Sequence, residues 1–257
     1  DEGGLKDSGI KDKELFDKIA NKYAEKDLYS VSKAARKFQI DSLIKLIDPV
    51  LLEKKFDKVI EIGCGNGANS VYLKNYYNSY LGIDFSEELI KIANYYYQNE
   101  QTDFFSSDIK DLDKNIKYDL IVCVGVLHHL PNLKKYLRNI REIGHNDSVY
   151  AFLEPLAENP IIQLLRYFRK KIDPDYSKSQ IFFKINELKK VFPETGFKIT
   201  KLKYTGYLTP PFAQVILKPK FVFLPVVKLF IFFDKLIQKY CPNRLSWNIS
   251  FIARKSE

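Results

Sequence analysis

Apolar positions change their period twice along the chain. Between residues 11 and 55 they recur every three or four residues. Leu15, Ile19 and Tyr23 stand at i, i+4 and i+8, with Phe16 and Ala20 beside them, and QIDSLIKLIDPVLLEK continues the rhythm, punctuated by Pro49. That spacing predicts helices. From residue 57 short apolar, β-branched runs predict strands at 58–63, 79–86, 102–109, 118–127 and 147–155. Amphipathic runs between them predict helices at 68–77, 87–98 and 132–142. Strands this apolar, alternating with helices, predict an α/β fold whose parallel sheet is covered on both faces.

The pattern changes again after residue 155. A polar, basic insertion fills 156–184, a helix is predicted at 184–197, ending at Gly196, and strands are predicted at 198–207 and 246–255. Between those strands runs a long apolar and basic stretch. Its part at 221–240, FVFLPVVKLFIFFDKLIQKY, sets Lys228, Lys235 and Lys239 among aromatic and aliphatic residues. The longest uncharged run, 221–227, is too short to cross a bilayer, which takes about 20 apolar residues. Such a segment suits a membrane interface, with lysines reaching toward head groups, or a buried helix that caps a site or forms a homodimer contact. The chain thus divides into an N-terminal helical cap (1–56), a core (57–155) and a region (156–257) that completes the sheet and carries insertions at 156–184 and 208–243.

Composition narrows the class. At 257 residues, 46% hydrophobic and 14% aromatic, the chain can bury a sizeable core and is not a disordered protein. Cys64, Cys123 and Cys241 lie far apart without a CxxC pair, so neither structural zinc nor a disulfide framework is expected, and a reducing, cytoplasmic setting is. The N-terminus is polar and lacks a signal-peptide pattern, but the sequence holds no methionine, so a lost leader stays open. The net charge is +9, and from residue 201 onward ten Lys or Arg face only Asp234 and Glu257. An anionic partner, either a membrane surface or nucleic acid, or simply a solvated basic face, accounts for that excess.

The chemistry concentrates in DKVIEIGCGNGANS, where a strand runs into glycines at every second residue. Glycines there permit a tight turn and close approach of a ligand to the backbone. Gly63, Gly65 and Ala68 satisfy the dinucleotide fingerprint G-x-G-x-x-G/A, and Asp84, at the end of the second strand, suits a ribose diol. Glu61 argues otherwise. An acid beside a pyrophosphate is repelled, whereas beside a sulfonium and an α-amino group it is attracted. A second acid, Asp108, follows the third strand, where it could accept from an adenine amino group while Ile109 donates its backbone N–H.

With VIEIGCGNG, LGIDFS, SSDIKDL and YDLIVCVGVLHHLPN in this order and spacing, the chain resembles the class I S-adenosylmethionine-dependent methyltransferases, in particular the branch that includes the ubiquinone/menaquinone-biosynthesis enzymes. The resemblance covers residues 57–155. It implies a Rossmann-like, seven-stranded, mostly parallel sheet with an antiparallel last strand. It implies S-adenosylmethionine as cofactor, its methionine end cradled by Glu61, Gly63, Cys64, Gly65, Asn66 and Gly67, its ribose on Asp84 and its adenine framed by Asp108 and Ile109. Phe85 would lie against the base, Gly125 and Val126 beside the sulfonium, and Tyr23 would close over the cofactor. No metal is implied. In this family the two insertions and the N-terminus build a substrate lid.

His128 and His129 follow the fourth strand, where the acceptor meets the methyl group. A histidine with a pKa near 6.5 can remove a proton at neutrality, and His128 is the better candidate of the pair. Methylation of nucleic-acid amino groups goes with Asn/Asp-Pro-Pro-aromatic at this place, which here reads Gly125-Val126-Leu127-His128. Cytosine C5 enzymes carry Pro-Cys, and Cys241-Pro242 is the reverse order and distant. An RNA substrate therefore rests on charge alone. The expected reaction is methyl transfer to a small or amphiphilic acceptor, a prenylated ring or a lipid-carried sugar, at oxygen. The alternatives are an RNA methyltransferase, a catalytically silent cofactor-binding subunit and, furthest off, a hydride-transferring dehydrogenase.

Overall fold

The computed structural model of the chain describes residues 2–172, 180–213 and 217–256, with side chains from residue 12 onward except at 169, 170 and 172. The N-terminal periodicity forms α1 (Glu2–Leu28), α2 (Ser30–Ile44) and α3 (Pro49–Lys54). Pro49 opens α3 at its first turn, where a missing N–H costs nothing, and Asp48 accepts from Val50 N at 2.9 Å. The alternating region forms β1 (Phe56–Ile62), α4 (Ser70–Leu73), β2 (Tyr77–Asp84), α5 (Glu87–Tyr97), β3 (Thr102–Ser106), β4 (Tyr118–Val124), α6 (Leu133–Glu142) and β5 (Gly144–Pro155). Then come α7 (Pro160–Ile172), α8 (Ile185–Glu194), β6 (Phe197–Thr205), α9 (Lys220–Ile237) and β7 (Asn248–Lys255).

The strands form one seven-stranded sheet in the order β3-β2-β1-β4-β5-β7-β6. Strands β1 to β5 pair in parallel, and β7 runs antiparallel between β5 and β6. The direction of winding reverses between β1 and β4, which opens a crevice beyond the carboxyl ends of these strands. Alternation along β1 sends Ile60 and Ile62 to one buried face, with Ile121, Leu137 and Phe192. Val59 joins the other face, with Leu43, Tyr80 and Phe104. Phe152, Phe192, Phe197 and Phe251 lock the β5–β7–α8 side through edge and stacked contacts, such as 5.0 Å between the Phe152 and Phe251 centroids.

Two segments differ from the sequence-based expectation. The helix expected at 68–77 is a single turn, α4, followed by a 3-10 turn at Lys74–Tyr76. Tyr77 already belongs to β2: it pairs with Phe56 and its ring is buried, with its hydroxyl 2.9 Å from that of Thr102. Sheet pairing thus overrides the helical pattern there. The insertion at 156–184 contains α7, an amphipathic helix begun by Pro160 and capped by Asn159, which accepts from Ile161 N and Ile162 N. Parts of both expected lid insertions, 173–179 and 214–216, lie outside the described residues.

Candidate active site

The ends of β1, β2, β4 and β5 meet α1 and α2 around one cavity of about 1250 Å³. That exceeds the ~300–1,000 Å³ of an ordinary ligand pocket and leaves room for a cofactor and an acceptor side by side. Gly63, Gly65, Asp84, Phe85, Asp108, Ile109, Gly125, Val126, His128, His129 and Tyr23 all line it. Glu61, Cys64, Asn66 and Gly67 do not.

The glycine loop shows why. Gly63 and Gly67 have φ of +67° and +78°, and a Cβ on Gly63 would stand 2.2 Å from Val126 Cγ2, so Val126 packs directly over the turn. Gly67 faces away, against the ring of Phe104. Cys64 N donates to Ile83 O at 2.9 Å, Gly65 N to Asp84 Oδ2 at 2.8 Å and Gly67 N to Cys64 O at 3.0 Å. These three amides are committed within the protein. Glu61 lies on the opposite face of β1, fully buried, where it accepts from Asn69 Nδ2 at 2.7 Å and from the Tyr80 hydroxyl. Burial pushes its carboxyl up to about 7, partly offset by those two hydrogen bonds.

Asp84 is buried at the cavity wall, and its Oδ1 accepts from Ser86 N at 3.0 Å. Burial raises its pKa, against the pull of its backbone donors. Asp108 heads the short turn after β3, receives the Tyr136 hydroxyl at 3.3 Å and pairs with Lys110 Nζ at 3.3 Å. Helix α1 closes the other side. Phe16 sets its ring edge-on to Tyr23 (6.0 Å), Phe85 (6.0 Å) and His129 (5.4 Å). The Tyr23 ring lies 3.7 Å from where a Cβ on Gly65 would be, and burial pushes its hydroxyl up to about 12.

Beyond β4, Gly125 (φ +67°) turns the chain into a 3-10 turn, Leu127–His129. Glu154, buried on β5, organises this turn. Its Oε1 accepts from Val126 N and Leu127 N, both at 2.8 Å, and its Oε2 stands 2.8 Å from His128 Nδ1. With Glu154 as acceptor, the hydrogen-bond network assigns the His128 proton to Nδ1 and leaves Nε2 as the acceptor. Burial, then the neighbouring His129, push the His128 pKa down to about 4, so the ring is neutral at pH 7. Phe182 stacks on His128 with centroids 5.4 Å apart and carries the Arg166 guanidinium 3.5 Å above its ring. His129 turns to α1, with Nδ1 3.2 Å from Asp12 Oδ2.

Three site residues escaped the sequence reading. Arg36 of α2 lines the cavity, its Nη1 3.4 Å from Gln39 Oε1. Asp27 and Arg36 share a small recess with Gly65 and Asn66, where Asn66 Nδ2 donates to Asp27 Oδ2 at 3.1 Å and the buried Asp27 Oδ1 has no hydrogen-bond partner. Glu154 is the third. A charged residue inside the apolar run VYAFLEP was the available signal. Nothing local marked Arg36 or Asp27.

A family described as "Methyltransferase domain" matches residues 34–202, more than half of the chain. The chain is 24% identical over 213 residues to a ubiquinone biosynthesis O-methyltransferase of Rickettsia typhi, covering 76% of this chain and 83% of the relative. The magnesium protoporphyrin IX methyltransferase of Synechocystis PCC 6803, solved with bound SAH, superposes with a TM-score of 0.63 at 15% identity, over 97% of this chain and 100% of that one. A chain from the complex of the Haloferax volcanii Trm112 methyltransferase activator with a methyltransferase superposes with a TM-score of 0.64 at 15% identity, over 94% and 98% of the two chains. The chain belongs to the methyltransferase-domain family and is a class I enzyme dependent on S-adenosylmethionine.

The site suits that cofactor on its own terms. Acids at the ends of β2 and β3, and an orphaned carboxyl oxygen that shares a recess with a guanidinium, match a cationic ligand that also carries an α-ammonium and an α-carboxylate.

Proposed function

We propose that the enzyme methylates an oxygen of a small or lipid-linked acceptor, such as a prenylated ring or a lipid-carried sugar, with His128 as general base. The observation that carries this reading is the His128–Glu154 pair at the cavity wall. A neutral imidazole whose Nδ1–H is held by a buried carboxyl has Nε2 available to accept a proton. The resemblance to an O-methyltransferase of Rickettsia typhi supports oxygen.

S-adenosylmethionine supplies an electrophilic methyl group on a sulfonium. In this reading Asp84 holds the ribose, Asp108 and the Ile109 amide the adenine, and Phe85 its face. Arg36 takes the α-carboxylate and the unpaired Asp27 Oδ1 the α-ammonium. Gly63, Gly65, Gly125 and Val126 shape the wall beside the sulfonium, while Glu61, Cys64, Asn66 and Gly67 support the loop from behind. The acceptor hydroxyl would give its proton to His128 Nε2 as its oxygen takes the methyl group and the methyl–sulfur bond breaks to leave a neutral thioether, and Glu154 would steady the resulting imidazolium. Helix α1, α7, Phe182 and Pro210 act as the lid, while α9 lies outside the cavity, and the enzyme works in the cytoplasm. Most of the acceleration expected of such a site comes from holding the acceptor in line with the methyl group and excluding water.

The test is a screen with isotope-labelled methyl donor on soluble and membrane extracts. Label in a base-stable ether of a small or lipid product is the expected result. Label only in the RNA fraction overturns the reading.

A further inference from the structure

Helix α9 lies outside the catalytic cavity and presents an apolar face to solvent. Phe221, Val226, Leu229, Phe232, Phe233 and Leu236 are all exposed, Phe221 by 78%. At about 100° per residue these six fall within one stripe roughly 140° wide. The opposite face is anchored: Val227 is fully buried against Val31 and Ala35 of α2 and Ala213. Lys228 and Lys235 project along one edge of the exposed stripe, and Lys239 follows in the turn after the helix. All three are exposed, and among the described residues none pairs with a carboxylate. The only acid of α9, Asp234, is completely buried.

From this arrangement we infer that α9 docks the enzyme on an anionic phospholipid bilayer, lying in the interface plane. The apolar stripe enters the acyl boundary and the lysine edge meets the head groups. Charge chooses this occupant over a second copy of the chain. Two such faces brought together would oppose like lysine rows with no acid to neutralise them. Among the described residues no helix is long and apolar enough to cross a membrane, so the attachment is peripheral.

The helix is tied firmly to the active site. Asp234 Oδ1 accepts from Tyr207 N (2.8 Å) and Leu208 N (2.9 Å), and its Oδ2 accepts from Thr209 N (3.0 Å) and the Thr209 hydroxyl. The next residue, Pro210, lines the catalytic cavity. A docked α9 therefore holds the rim of the cavity at a fixed height over the lipid surface.

The experiment is sedimentation of the full chain with vesicles of phosphatidylcholine, alone or with about a third phosphatidylglycerol. No acceptor or methyl donor is needed, so the outcome is independent of the O-methylation reading. The expected result is binding to the anionic vesicles, weakened by salt. The Lys228→Glu/Lys235→Glu/Lys239→Glu variant should bind at least about tenfold more weakly. Phe221→Ser/Phe232→Ser should lose binding even at low salt, with both variants keeping the parental melting temperature because every altered side chain is exposed. The inference is overturned if the parent stays in the supernatant, if both folded variants sediment like the parent, or if light scattering finds a parental dimer that Phe221→Ser/Phe232→Ser splits into monomers.

Discussion

His128 Nδ1 and Glu154 Oε2 stand 2.8 Å apart, although one belongs to the turn after β4 and the other to β5. The same carboxyl holds the amides of Val126 and Leu127, so Glu154 sets both the tautomer of the base and the shape of the wall it acts from. Replacing Glu154 by Gln would let the side-chain amide donate to His128 Nδ1, which moves the ring proton to Nε2 and removes the acceptor. We expect Glu154→Gln to lower kcat by about 10²–10⁴-fold, as His128→Ala should, with little change in cofactor affinity. Because the ring is held near pKa 4, the acid limb of kcat in the parent should lie well below 6.5. An acid limb at the ordinary histidine value, or a Glu154→Gln enzyme of parental rate, would remove His128 from the proton transfer.

The recess shared by Arg36 and Asp27 gives a prediction that separates two parts of one ligand. Arg36→Ala should weaken S-adenosylhomocysteine about 10–100-fold, the value of a charge-assisted hydrogen bond. It should leave methylthioadenosine, which lacks the amino-acid end, unaffected. Asp84→Asn should weaken both, since the ribose is common to them. Calorimetric titration of the two compounds into the three proteins measures each pair, and an Arg36→Ala variant that loses both equally would contradict the assignment.

The three loop glycines should respond differently to alanine. A Cβ on Gly67 would stand 2.8 Å from the Phe104 ring and 2.9 Å from Ala93, at a φ of +78°. Gly67→Ala should therefore cost about 2–4 kcal/mol of stability, read by urea unfolding, without touching the cavity. Gly63→Ala should cost a similar amount, because its methyl would meet Val126. At Gly65 the nearest atom is Tyr23 Cε1, at 3.7 Å. Gly65→Ala should cost only about 1 kcal/mol for its φ of +56° and act instead on cofactor affinity, since its methyl faces the cavity.

Much of this site is legible in the sequence because it is built from strand ends. An apolar run that stops at Gly63, Asp84, Asp108 or Gly125 marks the carboxyl edge of a parallel sheet locally, without knowledge of its neighbours. Residues that reach the site by packing leave no such trace. Arg36 and Asp27 arrive on helices whose periodicity shows only which face is buried, and Tyr77 leaves its helical pattern because Phe56 is there to pair with. Glu61 is a subtler case. Strand alternation already puts it on the opposite face from Ile60 and Ile62, but proximity to the loop suggested the cavity. The structure pairs it instead with Asn69 and Tyr80.

That placement makes Glu61 a source of pH-dependent stability with a definite sign. Its carboxyl titrates near 4.5 when exposed and near 7 in the fold, where burial disfavours the charge. Between these values the folded chain holds a proton that the unfolded chain has lost, so this contribution to stability falls as pH rises from 4.5 to about 7 and is constant above. His128 acts in the opposite direction. Its pKa drops from 6.5 to about 4 on folding, so its contribution is complete above 6.5 and is lost as pH falls toward 4. The two slopes oppose each other in the parent, and a single variant is needed to separate them. Glu61→Gln keeps a side chain of the same shape beside Asn69 and Tyr80 but cannot ionise. Its stability relative to the parent should climb as pH rises from 4.5 to 7 and then level off, measured as urea midpoints across that range. A difference between the two proteins that is the same at both ends of the range would mean that Glu61 stays charged inside the fold, held by its two hydrogen bonds and by Arg36.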